Sequence, residues 1–285
     1  MRIMSCAHDH VAGGRAARAG AGTIIARVAD GRTVLAAVRA DSPLRLLQPT
    51  FPGPSGAAAV CMVTFGGGLV DGDSIDLDLV VEPGATLVLF TQSSTKVFRG
   101  SSSQRLTAKV EGTLVFLPDP VSAFADAHYT QRVDVALGAS GSCVLLDGFT
   151  SGRAAFGERW AMRALDLRTT ITRAGDAIVT DALRLDTHDG SIAERMGRFD
   201  AFATLIAVGH AAAPVARAIH REPIAPPVAD LVVAASPLPR ARALDLPGAI
   251  ARIAASSSAN ALRAVRARLR NLPDMDAVDP FASRY

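Results

Sequence analysis

Carboxylates and a histidine gather beside glycine turns near the middle of the chain. Asp119, Asp126 and His128 fall within ten residues, while Asp147 and Glu158 flank Gly148, Gly152 and Gly157. On an extended stretch Asp126 and His128 project to one side. Carboxylate and imidazole donors take borderline divalent metals, and without thiolates they hold them loosely enough to release them. The competing reading is structural: Asp119 and Asp147 cap turns, and Glu158 pairs with Arg153 or Arg159. A second donor group, Cys6, His8 and His10, alternates thiolate and imidazole in a pattern that suits nickel or copper. It lies in a Gly- and Ala-rich terminal segment, where such ligands often do nothing.

The stretch Thr64-Phe65-Gly66-Gly67-Gly68-Leu69-Val70-Asp71-Gly72-Asp73 invites a phosphate-cradle reading, which fails on its own residues. No Lys-Ser or Lys-Thr follows the last glycine, Asp71 stands where a dinucleotide fingerprint needs Gly or Ala, and Asp71 and Asp73 repel phosphate. Consecutive glycines instead mark a sharp turn or a close approach to another backbone. Gly-x-Ser-x-Gly, His-Glu-x-x-His and EF-hand patterns are all missing. The six histidines form no helical pair with a carboxylate. This favours a binding or chaperone role over catalysis.

The elements that must position these residues are strands. Ser74 to Val81 alternates, with Ile75, Leu77, Leu79 and Val81 on one face and Ser74, Asp76 and Asp78 on the other. Thr23–Ala29 and Thr33–Arg39 flank Asp30-Gly31, a hairpin signal. Ala57–Phe65, Ala85–Phe90, Leu106–Val110, Thr113–Leu117, Tyr129–Val135, Ser142–Leu146, Ala164–Thr172 and Ala177–Asp186 extend the pattern. Turn glycines at 84, 112 and 138 recur 28 and 26 residues apart, the rhythm of stacked β layers in a solenoid or a sandwich. Near-continuous apolar runs such as Leu87 to Phe90 predict burial on both faces. Phe199–His210 and Leu231–Ala235 are further strand candidates, and Pro214, Pro223, Pro226 and Pro227 bound loops. Ser256, Ser257 and Ser258 offer N-caps for a helix over Ala259–Arg270. Its Leu262, Val265 and Leu269 form an apolar stripe, with Arg263, Arg266 and Arg270 off it. The expected organisation is an arm over 1–22, one β-rich domain over 23–273 and a tail over 274–285.

Composition narrows the function classes. The 285 residues are 49% apolar and 20% charged, which is globular, and aromatics at 5% require an aliphatic core. A net charge of +3 is too small for a nucleic-acid protein on charge alone. Cys6, Cys61 and Cys143 form no Cys-x-x-Cys, which speaks against structural zinc and for a reducing, cytoplasmic compartment. Neither a membrane-length apolar run nor a signal-peptide core is present.

Five segments in order resemble the UreD/UreH family of urease accessory proteins, from about Asp41 to about Asp186. They are Ser42-Pro43-Leu44-Arg45-Leu46-Leu47-Gln48-Pro49, then Gly67-Gly68-Leu69-Val70-Asp71-Gly72-Asp73, then Thr91-Gln92-Ser93-Ser94-Thr95-Lys96-Val97-Phe98-Arg99. Leu117-Pro118-Asp119-Pro120 follows, and last the pair Asp147-Gly148-Phe149-Thr150-Ser151-Gly152-Arg153 and Gly157-Glu158-Arg159. Asp71 replaces a usual glycine, Phe98 replaces a usual tyrosine, and the family's Trp-containing tail is not visible. The resemblance implies a non-catalytic chaperone with a β-helix-like stack. It would bind the urease apoprotein and a UreF-like accessory protein, which recruits a UreG-like GTPase. No cofactor would be tightly bound, and nickel would pass transiently, by way of Asp126, His128, Asp147 and Glu158. Gly67, Gly68, Asp71, Gly72, Asp73, Gln92, Thr95, Lys96, Arg99, Asp119, Gly152 and Arg153 would form the partner-facing or scaffolding motif. Two other readings stay open: a β-solenoid enzyme acting on polysaccharide, which 5% aromatics supply poorly with stacking platforms, and a metal-free scaffold.

Overall fold

The structure is a computed structural model that describes residues 20–49, 56–221, 230–270 and 272. The expected arm, apart from residues 20–22, and the expected tail lie outside the described residues, and so do Cys6, His8 and His10. Strand structure begins at Ala21, two residues earlier than the alternation alone suggests.

The chain is mainly β, and its strands form two large sheets. The first runs edge to edge through Asp176–Asp186, Ala164–Arg173, Ala127–Leu137, Gly100–Val110, Ser74–Val81, Ala21–Ala29 and Arg32–Ala40. The second runs through Leu231–Pro237, Gly248–Ala255, Ala201–Val208, Ser142–Thr150, Thr113–Leu117, Thr86–Thr91, Ala58–Thr64 and Leu44–Leu47. From Ser74 to Arg173 the long strands alternate between the sheets, so neighbours within each sheet are parallel. Antiparallel pairing is kept for the ends, as in the hairpin whose turn holds Asp30 and Gly31 at φ 50° and 72°.

The glycine rhythm has a physical cause in this topology. The turn after each first-sheet strand sits on the turn before it: Gly112 N donates to Val81 O at 3.2 Å, and Gly138 N donates to Val110 O at 2.9 Å. A Cβ at Gly112 would lie 2.2 Å from the Ala85 carbonyl oxygen, and one at Gly138 would lie 2.0 Å from the Glu111 carboxylate. Stacked turns leave no room for a side chain.

Alternation fixes two cores. Ile75, Leu77, Leu79 and Val81 point between the sheets with Leu87, Leu89, Leu106 and Leu114. Val88, Phe90, Val115 and Leu117, one residue out of phase, point to the opposite face of the second sheet. There they join a core shared with the helices Ala213–Arg221 and Ser258–Leu269. The second sheet is thus covered on both faces, as its continuous apolar runs predict. Each buried Leu or Val contributes about 1.5–3 kcal/mol.

The last third was only partly legible. Ser257 caps the final helix by accepting from Asn260 N at 3.2 Å, and Leu262, Val265 and Leu269 are buried as their spacing predicts. Arg268 is buried too, bonding back to Ala264 O at 2.6 Å. The helix Ala213–Arg221 contradicts the loop expected at Pro214. Proline is tolerated in a first helical turn, where its missing N–H has no partner to lose. Strand Gly248–Ala255, rich in alanine, shows too little alternation to be read from sequence.

Candidate functional site

The glycine loop is a docking joint. Gly66 and Gly67 take φ 74° each, and Gly68 sits so close to the next segment that a Cβ would lie 2.4 Å from the Lys96 carbonyl oxygen. Leu69 N donates to Lys96 O at 2.8 Å, and Phe98 N donates to Leu69 O at 2.9 Å. Asp71 accepts from Ser101 N at 2.7 Å, tying the loop to the strand Gly100–Val110, and Asp73 accepts from Val70 N at 2.8 Å, closing its own turn. The polar run it docks against divides between burial and exposure. Thr91 is buried and exchanges two hydrogen bonds with Asp119, donating from Oγ1 to Oδ2 at 3.0 Å and accepting from Asp119 N at 2.8 Å. Gln92, Ser93 and Lys96 are exposed.

Two openings meet at this run. Gly67, Gln92, Ser94, Thr95 and Gln104 line a small cleft of about 80 Å³. Ser94 also lines a broad groove of about 750 Å³, together with Lys96, Asp119, Gly152 and Arg153. Residues singled out from Gly67 to Arg153 thus line two openings that meet at Ser94. Arg153 stacks on Phe124 at 4.3 Å in this groove, and Phe156 at its rim is 78% exposed.

Behind the small cleft, polar side chains cross the core between the sheets. Gln104 and Gln131 are register partners on adjacent parallel strands, and both are buried. Tyr129 Oη lies 3.4 Å from Gln104 Oε1 and 3.2 Å from Gln131 Oε1, so its single proton serves one oxygen at a time. Gln131 Nε2 donates to Asp147 Oδ1 at 3.0 Å, which carries the chain of contacts from the first sheet to the second. Burial pushes the Tyr129 hydroxyl far above its ordinary range, with a smaller push from Asp147. Asp147 is itself pushed up to about 6 by burial, against the opposing pull of its bonds from Gln131 and Gly148 N–H. The nearby charge of Asp181 adds to the rise.

Asp147 opens onto a third space, a cavity of about 410 Å³ lined from both sheets. Phe149, Phe202, Leu167 and Leu183 give it apolar walls. Asp181 on the first sheet and Arg252 on the second form an ion pair at its side. Polar contacts therefore link the small cleft to this cavity by way of Gln104, Tyr129, Gln131 and Asp147.

The structure does not bring the four expected metal donors together. Asp126 is exposed and pairs with Arg99 at 3.3 Å. Glu158 forms a two-point pair with Arg153, whose hydrogen bond leads the causes holding its carboxyl below the ordinary range. His128 lies exposed on the first sheet, and Asp147 alone of the four enters the polar chain. Among the described residues no group of three or more His, Cys, Asp or Glu side chains is placed to hold a metal ion. Cys143 offers no thiolate, since burial pushes its thiol up to about 12. Gln104, Tyr129 and Gln131 were missed from sequence, although each is a polar group in the inward phase of an alternating strand.

The family model described as UreD urease accessory protein matches residues 18–280. The chain belongs to the UreD family. A urease accessory protein UreD of Sorangium cellulosum is 45% identical, over 95% of this chain and 86% of its own length. One from Anaeromyxobacter is 37% identical, over 93% of this chain and 89% of its own. Urease accessory protein D of Arabidopsis thaliana is 36% identical, over 66% of this chain and 67% of its own. UreD is named as an accessory protein and not as an enzyme. Among the described residues no helix is long and apolar enough to cross a membrane.

Proposed function

We propose that this UreD-family chain serves urease maturation without catalysing a reaction, by passing nickel toward the urease apoprotein. The observation that carries this reading is the line of polar side chains from Gln104 through Tyr129 and Gln131 to Asp147, set in a largely aliphatic core. Buried polar groups cost stability unless they are hydrogen-bonded, and an apolar core could replace them at no loss of packing. Their placement across the gap between the sheets fits a route for a hydrated cation. Amide, hydroxyl and single carboxylate oxygens solvate such an ion without trapping it, so nickel is cargo in transit and no cofactor stays bound.

The body over 23–273 acts as one unit in this reading. The groove holding Lys96, Asp119, Gly152 and Arg153 supplies a docking face for a protein partner. Of the donors expected from sequence, Asp147 serves the route directly. Asp126 and Glu158, tied to Arg99 and Arg153, and exposed His128 serve outside it. The urease apoprotein is one partner. A UreF-like accessory protein is the other and brings a UreG-like GTPase to the complex, which fits the missing phosphate-binding loop here.

A strain without this chain, grown at limiting nickel, tests the reading. Urease should be synthesised but nickel-poor, and complementation with Q131L should restore protein levels without restoring metallation. Fully metallated urease in the deletion strain would overturn the proposal.

A further inference from the structure

The cavity beside Asp147 carries a feature that the passage reading alone does not use. Asp147, Thr204 and Arg252 are register partners across three adjacent strands of the second sheet, and they share its inner face with Phe202 and Ile250. Asp181 reaches toward them from the edge strand of the first sheet and pairs with Arg252. The Asp181 side chain is 22% exposed and that of Arg252 is 57% exposed, so the guanidinium lies toward solvent at the side of the cavity. Two carboxylates thus line one cavity, and among the described residues the one guanidinium lining it pairs with one of them.

We propose that the Arg252–Asp181 ion pair is a counter-ion latch: it withholds from an entering divalent cation the second carboxylate that would otherwise capture it beside Asp147. This rests on the passage reading, and it names how passage is kept reversible. A divalent ion next to Asp147 alone meets one carboxylate, already accepting from Gln131 Nε2, and the Thr204 hydroxyl on the next strand. With Arg252 withdrawn, Asp181 becomes a second anionic oxygen donor in the same cavity, and hard or borderline cations bind more tightly as carboxylates are added. Asp147 and Asp181 already sense each other, since the charge of Asp181 is among the causes that raise the Asp147 carboxyl. An ion pair with one partner largely in water exchanges easily, because exposed pairs are worth little. That suits a latch better than a structural tie.

The test is R252M in the full chain, which keeps the stem length and removes the charge. Nickel is titrated calorimetrically into folded wild type, R252M, R252M/D181N and R252M/D147N. The latch predicts about tenfold or tighter nickel affinity in R252M, and loss of that gain in both double variants. Should R252M lose its fold, as judged by its melting transition, R252Q takes its place. Affinity in the charge-removed variant within twofold of wild type overturns the latch, and so does a gain that survives D181N. A merely structural pair would change melting and leave affinity alone. Urease metallation in strains carrying R252M is read separately. Tightened binding with undiminished metallation would overturn the passage reading and leave only the ion pair's control of cation affinity, whereas unchanged affinity would overturn the latch and leave the passage reading.

Discussion

Gln131 and Asp147 stand on opposite sheets and meet through a 3.0 Å hydrogen bond across the core. This contact joins two layers held mainly by apolar packing, and it places a carboxyl whose protonation responds near neutral pH at the edge of a cavity.

That carboxyl makes stability pH-dependent in a stated direction. Asp147 titrates at about 6 in the fold against an ordinary 3.8, so the folded state binds the extra proton between these values. Stability from this group is therefore greatest below pH 4 and falls as pH rises through 6. D147N should match wild type at pH 4 and exceed it at pH 8 by on the order of 1–3 kcal/mol, measured by urea unfolding at both values. A difference independent of pH would contradict the buried-carboxyl account.

Tyr129 is fully buried, and its hydroxyl sits between two amide oxygens. Y129F removes the donor and should cost about 1–2 kcal/mol by denaturant midpoint, with no change in the cooperativity of unfolding. In a nickel-limited strain the same variant should lower urease metallation by more than this stability loss explains, as tested against an equally destabilised variant of the outer core.

G68A drives a methyl into the Lys96 carbonyl oxygen and the Phe98 ring. It should lower stability by about 2 kcal/mol or more, the scale of a forced backbone shift. G66A, where a Cβ meets open space but the φ of 74° is strained, should cost only about 1 kcal/mol. Thermal melts of the two variants, compared with wild type, check the order.

The final helix is anchored by its stripe and not by its arginines. L262A should cost about 2–5 kcal/mol, because the side chain is buried against the second sheet. R263A, exposed and bonded to Asn260, should stay within about 0.5 kcal/mol. Equal effects would mean that the helix packs by another face.

Acid should strip a further contribution near the end of the first sheet. Arg184, the His188 backbone N–H and the His188 ring hold the Asp186 carboxyl well below its ordinary range. A depressed carboxyl stabilises the fold at all pH values above its unfolded pKa, and that contribution is lost as pH falls through the folded value. The difference between wild type and D186N, followed by urea midpoints from pH 6 downward, should therefore shrink in acid.

By itself the sequence determined the long strands from Ser74 to Asp186 and the glycine turns at 84, 112 and 138, because period-two alternation and obligatory glycines are local properties of the chain. The short strands Lys96–Val97, Val121–Ala123, Gly152–Arg153 and Glu158–Arg159 carry too few residues to alternate. It also determined the family, since the ordered segments from Ser42 to Arg159 are read without coordinates. Asp147 was legible only as a carboxylate beside a glycine. The inward glutamines at 104 and 131 carried a readable signal, a polar residue in the core phase of an alternating strand. What each would face was not readable, because the partner lies in another sheet. Only the tertiary structure decided that Asp126 and Glu158 are tied to arginines while Asp147 enters the core. It alone set Arg252 against Asp181, 71 positions earlier in the chain. The reason is physical: alternation says which side of a strand a residue takes, whereas the parallel crossing of the chain between sheets determines which residue stands opposite.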